Sequence, residues 1–438
     1  MSTAETIDAA LERLARRHPK SIDLSLDRMT RLLDALGNPQ RRLPPAIHIA
    51  GTNGKGSVAA FLKAVAEASG ERVHVYTSPH LVRFNERIVL SGEIVDDARL
   101  KAAFDRVEAA NGEAPITFFE ATTAAAFLLF SETPADRLFL ETGLGGRLDA
   151  TNMLDRPECT VITPVGLDHQ AFLGDTVALI AAEKAGIIKP GVPLVIGPQP
   201  DAARRVIYDA ALRLGAPVRA WGEAFSAHPE HGRMVYQEDD LLWDLPRPAL
   251  AGPHQIVNAA VACAAARVCG YGQNAAREGL ANARWPARLQ RLTGGPLAGI
   301  ALARGAELWL DGGHNPAAAE VLAAALGQMD GDRPLVLVSA FSANKDPAGY
   351  FAYFTGLAAR VIAIGFSGGR EGSKPAQDVA DAARGADIPA QTASGLIAAI
   401  HDALEDYDQP RIVICGSLYL AGEALALGTG EAVQSTPG

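Results

Sequence analysis

The sequence predicts an α/β protein of two domains, each built on a mostly parallel sheet with helices on both faces. Short apolar runs alternate with helical stretches along most of the 438 residues, which is the pattern of βα units. A glycine-rich turn joins the first clear strand to the next helix, as in proteins that bind phosphate groups. The alternation starts afresh after "TGGP" at 293–296, and a chain of this length is too long for one ordinary core. We therefore place one domain at 1–294 and a smaller one at 295–438.

In the first domain the predicted elements alternate regularly up to residue 215. The segment 1–20 has Leu11 and Leu14 on one face and no long apolar stretch, so it predicts an amphipathic helix and not a signal peptide. Residues 216–250 have polar edges and are typical of an antiparallel hairpin or meander. The predicted strands are 46–50, 72–77, 137–142, 159–165 and 192–197, and the predicted helices are 57–70, 118–130, 178–186 and 255–270.

The second domain resumes the βα alternation and ends in a short polar segment. We expect residues 428–438 to form a mobile tail, because chain ends of small and polar residues are seldom held in place. The predicted strands are 307–313, 334–340, 360–366 and 411–417, and the predicted helices are 317–329 and 396–404.

The composition excludes several classes of protein. Hydrophobic residues make up 48% and charged residues 21% of the chain, as in a folded globular protein. The formal net charge is -10 and no long basic run occurs, so we expect no nucleic-acid partner. No run of about 18 apolar residues occurs, so we expect no membrane span and place the protein in the cytoplasm. The four cysteines form no CxxC pair, which fits reduced thiols in that compartment.

The stretch HIAGTNGKGS, residues 48–57, predicts a site for a phosphate chain. Its three glycines permit backbone angles that are closed to other residues and keep side chains away from a ligand. Backbone N–H groups can then converge on anionic oxygens at the positive end of the following helix. Lys55 adds a full charge, and Ser57 offers a hydroxyl at the helix start. The loop departs from the general G-x-x-x-x-G-K-[ST] pattern, because Ile49 replaces the first glycine and Gly56 follows the lysine.

This loop resembles the ATP loop of the Mur ligase superfamily, in the form typical of folylpolyglutamate synthase and dihydrofolate synthase. The resemblance covers roughly residues 20–425 and implies a P-loop ATPase domain of Mur ligase type followed by a Rossmann-like domain. It also implies a reaction, in which ATP drives the ligation of L-glutamate to dihydropteroate, or to the γ-carboxylate of reduced folylpolyglutamates, through an acyl phosphate. The further motifs that carry it, in order, are TSPHL (77–81), RFNERI (83–88), ETGLGGRLDATN (141–152), LDH (167–169), EKAGIIK (183–189), HQIVNAA (254–260), DGGHNP (311–316) and GSLYL (416–420).

The same resemblance implies the ligands of ATP and of two magnesium ions. Magnesium prefers hard oxygen ligands, and Glu141 at a predicted strand end suits it. Ser78 and His169 follow strand ends as well, and these three residues are implied to hold the ions. Ala287 stands where the family usually has glycine, just before Arg288. The residues implied to bind ATP are Thr52, Asn53, Gly54, Lys55, Gly56, Ser57, Asn258, Arg288 and Asp311.

Three residues are implied to take part in catalysis. Lys55 holds the terminal phosphates, and Lys184 is implied to be carbamylated, with its charge inverted so that it binds the second magnesium ion. His314 is placed near the triphosphate and is one candidate for the base that deprotonates the incoming amine, with water as the other.

The acceptor is implied to bind in the larger domain with ATP, and the smaller domain is implied to deliver glutamate. The segment SIDLSLDR (21–28) resembles the family's IDLGLDR, with Ser25 in place of the commoner glycine. An aromatic ring such as Phe119 can stack on a pterin. Lys345 and Ser417 are implied to hold the glutamate carboxylates. The residues implied to line the dihydropteroate pocket are Ile22, Asp23, Leu24, Thr117, Phe119, Asp149 and Ala150.

Several alternatives stay open beside a bifunctional enzyme that acts as a monomer on ATP, L-glutamate, dihydropteroate and reduced folates. The chain could be a folylpolyglutamate synthase alone, or another amino-acid ligase of the superfamily. A peptidoglycan ligase would normally carry an additional N-terminal nucleotide-sugar domain, whereas only about 45 residues precede the loop here. A cyanophycin-type ligase would need a much longer chain. An ATP-gated binding protein without catalysis is the non-enzyme alternative, against which Lys55, Glu141, His169 and Lys184 argue.

Overall fold

The structure is a computed structural model that describes residues 6–16, 24–368 and 372–434. The strands are β1 (Ala46–Ala50), β2 (Val73–Tyr76), β3 (Ile88–Leu90), β4 (Glu93–Ile94), β5 (Arg137–Glu141), β6 (Cys159–Ile162), β7 (Leu194–Ile196), β8 (Val218–Ala220), β9 (Phe225–Glu230), β10 (Arg233–Glu238), β11 (Leu241–Pro246), β12 (Gln290–Arg291), β13 (Glu307–Leu310), β14 (Leu335–Ser339), β15 (Arg360–Ala363), β16 (Ala390–Thr392) and β17 (Arg411–Cys415).

Helices separate most of these strands. The α-helices are α1 (Ile7–Ala15), α2 (Asp27–Ala35), α3 (Lys55–Ala68), α4 (Asp97–Asn111), α5 (Phe118–Glu132), α6 (Gln170–Leu173), α7 (Val177–Ala185), α8 (Asp201–Leu214), α9 (His254–Val268), α10 (Gln273–Asn282), α11 (Gly295–Leu302), α12 (Pro316–Gly327), α13 (Pro347–Phe351), α14 (Ala376–Gly385), α15 (Leu396–Asp406) and α16 (Leu418–Thr429). Short 3₁₀ helices lie at Pro39–Arg42, Phe84–Arg87 and Ala352–Phe354.

The first domain is built on an eight-stranded sheet in the order β4-β3-β2-β5-β1-β6-β7-β8. The six strands from β2 to β8 in that order are parallel, and β3 at the other edge pairs antiparallel with both β2 and β4. β1 and β5 are buried along their whole length, as expected of central strands of a parallel sheet covered on both faces. Strands β9 to β11 form a separate antiparallel sheet where we predicted a hairpin or meander.

The second domain has a six-stranded sheet in the order β12-β13-β17-β14-β15-β16, parallel except for β12. The predicted α/β class with mostly parallel sheets is therefore confirmed. The predicted division between 294 and 295 falls between β12 and α11, so β12 lies before it although it pairs with β13. No helix among the described residues is both long enough and apolar enough to cross a bilayer.

The C-terminal segment differs from our expectation of a mobile tail. Helix α16 continues to Thr429, and the chain then reaches the first domain, where Gln434 makes hydrogen bonds with the 80–84 loop. The prediction was wrong for residues 428–434, because the partners of Gln434 are about 350 positions away in sequence. Residues 435–438 of the predicted tail lie outside the described residues.

Candidate active site

The glycine-rich loop connects β1 to α3 and faces a cleft between the two domains. Gly54 has φ +89°, a conformation that favours glycine, and α3 begins at the next residue. The N–H groups of Thr52 and Asn53 donate to Pro164 O at 3.0 and 3.3 Å, so these two amides stabilise the loop itself. The first-turn amides of α3, from Lys55 onward, have no intrahelical acceptors and are the ones suited to an anion.

Lys55 folds back over this loop. Its Nζ donates to Gly51 O at 3.2 Å and to Thr52 O at 3.4 Å, and it lies 3.7 Å from Glu141 Oε1. Glu141 ends β5 and is only 4% exposed. Burial raises the pKa of this carboxyl, although Lys55 and Arg288 oppose the rise. A buried carboxylate beside one lysine is a suitable place for a further cation.

The two later glycines of the loop leave room for neighbouring side chains. A Cβ on Gly56 would lie 2.7 Å from ring atoms of Trp285, and one on Gly54 would lie 2.6 Å from Asn258 Oδ1. Glycine at position 56 is therefore needed for packing against Trp285, in addition to its place after the lysine in the loop motif. Asn258 lines the cleft from α9, where its Nδ2 donates to Gln255 Oε1 at 3.0 Å.

Lys184 is the most deeply buried cation of the cleft. It lies in α7, is 4% exposed, and its Nζ donates to Gly51 O at 2.9 Å. Burial, followed by the charge of Lys55, lowers its pKa to about 7. A lysine of this kind is partly neutral near pH 7, and the neutral amine is the form that reacts as a nucleophile.

Ser78 and His169 line the same cleft as Glu141. His169 has φ +51°, and burial lowers its pKa to about 4, so its ring is neutral and able to ligate a metal. A non-glycine residue in this region of φ is uncommon and is found most often at functional sites. Among the described residues, no group of three or more His, Cys, Asp or Glu side chains could hold a metal ion alone. The implied set has only one glutamate and one histidine beside Ser78, so it is not such a group.

The second domain contributes the opposite wall of the cleft through the β13–α12 turn and the linker. Asp311 accepts hydrogen bonds from Leu289 N and Gly313 N, both at 2.8 Å. The linker residues Ala287 and Leu289 have φ +56° and +44°, so Arg288 projects from a turn with left-handed residues on both sides. Ala287 therefore keeps a conformation for which glycine is the usual residue, and nothing in the structure explains why alanine stands here.

Asp168 connects the two walls, and the sequence reasoning missed it. Its Oδ1 is 2.6 Å from Lys345 Nζ, and its Oδ2 is 3.5 Å from His314 Nε2 and 3.3 Å from Asn315 Nδ2. Burial alone would raise its pKa, but His314, His169 and Lys345 outweigh that effect and hold the pKa below its ordinary range. The only signal in the sequence was its place beside His169 in the LDH motif.

Comparisons with known proteins show the family of the chain. Residues 301–427 match the family described as dihydrofolate synthetase, C-terminal domain. The folylpolyglutamate synthase of Lacticaseibacillus casei is 36% identical over 423 residues, which cover 90% of this chain and 92% of that protein. The chain belongs to the folylpolyglutamate and dihydrofolate synthase family.

Two solved structures of this family have the same fold throughout. Escherichia coli FolC in complex with DHPP and ADP is 29% identical, covers 98% of both chains and has a TM-score of 0.88. The bifunctional folylpolyglutamate synthase/dihydrofolate synthase of Yersinia pestis, complexed with AMPPNP and Mn ion, is 31% identical, covers 97% of this chain and 98% of that one, and has a TM-score of 0.86. The chain is accordingly an ATP-dependent ligase that adds glutamate to a folate-type acceptor.

All the residues that the resemblance implied for ATP, metal and catalysis line one cleft of about 460 Å³, a size typical of small-molecule sites. They come from both domains and from positions more than 200 residues apart. The list is Thr52, Asn53, Gly54, Lys55, Gly56, Ser57, Ser78, Glu141, His169, Lys184, Asn258, Arg288, Asp311 and His314.

Among the described residues implied for the acceptor, none lines this cleft itself, but Phe119 and Asp149 contact residues that do. Phe119 packs against Gly143, where a Cβ would collide with its ring. Asp149 accepts from Leu144 N at 2.7 Å and from Thr151 N at 3.0 Å, so its carboxylate holds the loop that lines the cleft. Thr117 caps α5 through Glu120 N at 3.2 Å.

The other described residues implied for the acceptor and for glutamate do not line the cleft themselves. Ala150 is buried in the core, and Leu24 packs at the edge of a neighbouring core cluster. Ser417 caps α16 beside the cleft residue Leu418, and Lys345 reaches the cleft through Asp168. Ile22 and Asp23 lie outside the described residues.

Proposed function

We propose that this enzyme ligates L-glutamate both to dihydropteroate, giving dihydrofolate, and to the γ-carboxylate of reduced folylpolyglutamates. The observation that carries the proposal is the single cleft in which the glycine-rich loop, Glu141, His169 and Lys184 of one domain face His314 of the other. The relatives differ in their names, since the L. casei protein is named for one activity and the Y. pestis protein for two. Binding of DHPP by E. coli FolC supports a pterin acceptor here.

The proposed reaction has two steps. An oxygen of the acceptor carboxylate attacks the γ-phosphorus of ATP, which forms an acyl phosphate and releases ADP. The amine of glutamate then attacks the acyl carbon, phosphate leaves, and the nitrogen loses a proton to His314 or to water. Lys55 and the first-turn amides of α3 hold the phosphate oxygens, where positioning and charge stabilisation supply most of the rate.

Magnesium fits the residues of this cleft, and we assign two ions to it. Ser57 Oγ is buried and has no hydrogen-bond partner, as expected of a group that awaits a ligand or its water. Ser78, Glu141 and His169 would hold the ions together with water and phosphate oxygens, and Mn in the Y. pestis complex supports a divalent cation. When bound, the metal neutralises the charge that develops on the phosphates.

Lys184 is proposed to be carbamylated and to complete the second metal position. Its lowered pKa leaves part of the amine neutral near pH 7, so the nitrogen can attack carbon dioxide and release one proton. The carbamate keeps one N–H, which can still donate to Gly51 O. Lys345 and Ser417 are proposed to bind the carboxylates of glutamate.

We further propose a cytoplasmic monomer. All four cysteines are free thiols, as is usual in a reducing compartment. One chain supplies the residues of both walls of the cleft, so the proposed chemistry needs no second copy.

The test is an assay of ADP release by the purified protein with ATP, Mg²⁺ and L-glutamate, with dihydropteroate or tetrahydrofolate offered separately. We expect turnover with each acceptor, and loss of at least about a hundredfold with both in Lys55→Ala, because one group serves both reactions. Turnover with a single acceptor would overturn the bifunctional proposal. Full activity of Lys55→Ala would show that the nucleotide binds elsewhere.

A further inference from the structure

Gln434, from the end of the second domain, lies against the first domain with all four of its polar groups bonded. Its backbone N donates to Val82 O at 2.8 Å, and its backbone O is 3.0 Å from His80 Nε2. Its side-chain Oε1 accepts from Phe84 N at 2.7 Å, and its Nε2 donates to Asp8 Oδ1 at 2.9 Å. A glutamine held at every donor and acceptor occupies a specific site and is not a loose chain end.

The 78–84 loop needs these bonds, because its own residues leave the corresponding groups open. Glu86 accepts from the N–H groups of residues 81, 82 and 83 at 2.7–2.9 Å, but not from Phe84 N. Phe84 is fully buried, so its N–H has no access to water and requires an acceptor. Arg87 Nε donates to His80 Nδ1 at 2.9 Å, so the other ring nitrogen, Nε2, carries the proton and needs an acceptor too. Gln434 supplies both acceptors.

The same C-terminal segment contacts this loop at a second place. In α16, Gly422 lies so close to the backbone carbonyl of Leu81 that a Cβ on it would collide with the oxygen. The loop is thus held between α16 and the chain that follows α16, both from the second domain. The first residue of the loop is Ser78, which lines the cleft.

We propose that Gln434 is a positioning residue, through which the C-terminal segment of the second domain fixes the conformation of the 78–84 loop and with it the place of Ser78. These contacts couple the position of the second domain to Ser78, a proposed metal ligand on the first domain. Only the consequence for metal rests on the function proposed above, since the anchoring of the loop is independent of it.

The loop itself is tested by hydrogen exchange in the full-length protein and in Gln434→Glu. The substitution keeps an acceptor for Phe84 N but places a second carboxylate against Asp8, so we expect faster exchange of the Phe84 amide by about tenfold or more. Adding Asp8→Asn restores the hydrogen bond in the opposite direction, because the amide at position 8 can donate to the carboxylate at position 434. The exchange rate of the Phe84 amide should then return close to its original value. Equal exchange rates in all three proteins would overturn the anchoring.

The consequence for metal is tested by the Mg²⁺ concentration that gives half-maximal ADP release. A chain that ends at residue 430 should need about tenfold more Mg²⁺, whereas a chain that ends at 434 keeps the anchor and should match the full protein. If the shorter chain fails to fold, the comparison of Gln434→Glu with its Asp8→Asn rescue decides instead. An unchanged Mg²⁺ requirement together with faster exchange would refute the coupling of the anchor to the metal site and leave the anchor standing. An unchanged exchange rate would refute the anchor whatever the activity.

Discussion

Gly56→Ala is the smallest change that tests the geometry of the phosphate loop. The added Cβ would lie 2.7–2.8 Å from three atoms of the Trp285 ring, whereas carbon atoms pack comfortably from about 3.5 Å. The ring must then retreat by about 0.8 Å. It cannot do so freely, because the next turn of the linker has left-handed residues at Ala287 and Leu289 and is bonded to Asp311. We therefore expect the shift to reach Arg288, which lies between those two residues and lines the cleft.

The expected change in the free energy of unfolding is the difference of two opposing effects. Overpacking of this kind costs about 1–3 kcal/mol, and alanine gains up to about 1 kcal/mol over glycine within a helix. We expect a net loss of about 1–2 kcal/mol in the free energy of unfolding, measured with denaturant. A displacement of nearly 1 Å at Arg288 should also lower kcat/KM for ATP by about ten- to a hundredfold.

The matched control is Gly428→Ala in α16. This position is also helical, and a Cβ on it would have no heavy atom within 4 Å, so the stability should change little or rise slightly. A smaller ring in Trp285→Phe should relieve the clash, so the double variant should be more stable than the sum of the single changes by about 1 kcal/mol. Identical behaviour of Gly56→Ala and Gly428→Ala, or strict additivity with Trp285→Phe, would refute the reasoning.

Two further predictions concern buried charges of the cleft. Because burial lowers the pKa of Lys184 to about 7, the unfolded chain binds a proton between that pH and about 10.5 that the folded one does not. In carbonate-free buffer, the stability of the natural protein should therefore rise relative to Lys184→Met from pH 7 to pH 10, by up to about 4 kcal/mol. An equal pH dependence of the two proteins in urea unfolding would contradict this. Asp168→Asn removes the charge that faces Lys345 and His314, so we expect the KM for glutamate to rise about tenfold with little change in the KM for ATP; an equal rise in both would show a general loss of folding.

The sequence was most informative where the determinants are local. The segment 46–70 reads directly as a buried strand, a glycine-rich turn and a helix, and β1, the loop and α3 follow in that order. The apolar, alanine-rich segment 118–130 likewise forms most of α5, which begins with Thr117 as its cap. In such segments the periodicity of apolar residues and the turn chemistry decide the structure without help from the rest of the chain.

What the sequence could not predict depends on contacts between distant residues. The reason for glycine at 56 lies in Trp285, and the reason for order at Gln434 lies in a loop about 350 residues earlier. Asp168 has no distinguishing local pattern, because nothing in its neighbours in sequence shows that it is partly buried against a cation. Its importance appears only when Lys345 of the second domain is brought within 2.6 Å.

Asp168 also bears on how the cleft is held before any ligand binds. Its side chain is only 13% exposed, and an anion buried to that degree is costly unless a cation or hydrogen-bond donor accompanies it. Its cationic and amide partners, Lys345 and Asn315, belong to the second domain, so moving the domains apart would leave the charge with the backbone N–H of His169 but without a cation. A second set of bonds, at Gln434, resists the same movement from another face. The two walls are therefore held together by the protein's own polar contacts, and Asp168 fixes Lys345 in the place from which it is proposed to meet the carboxylates of glutamate.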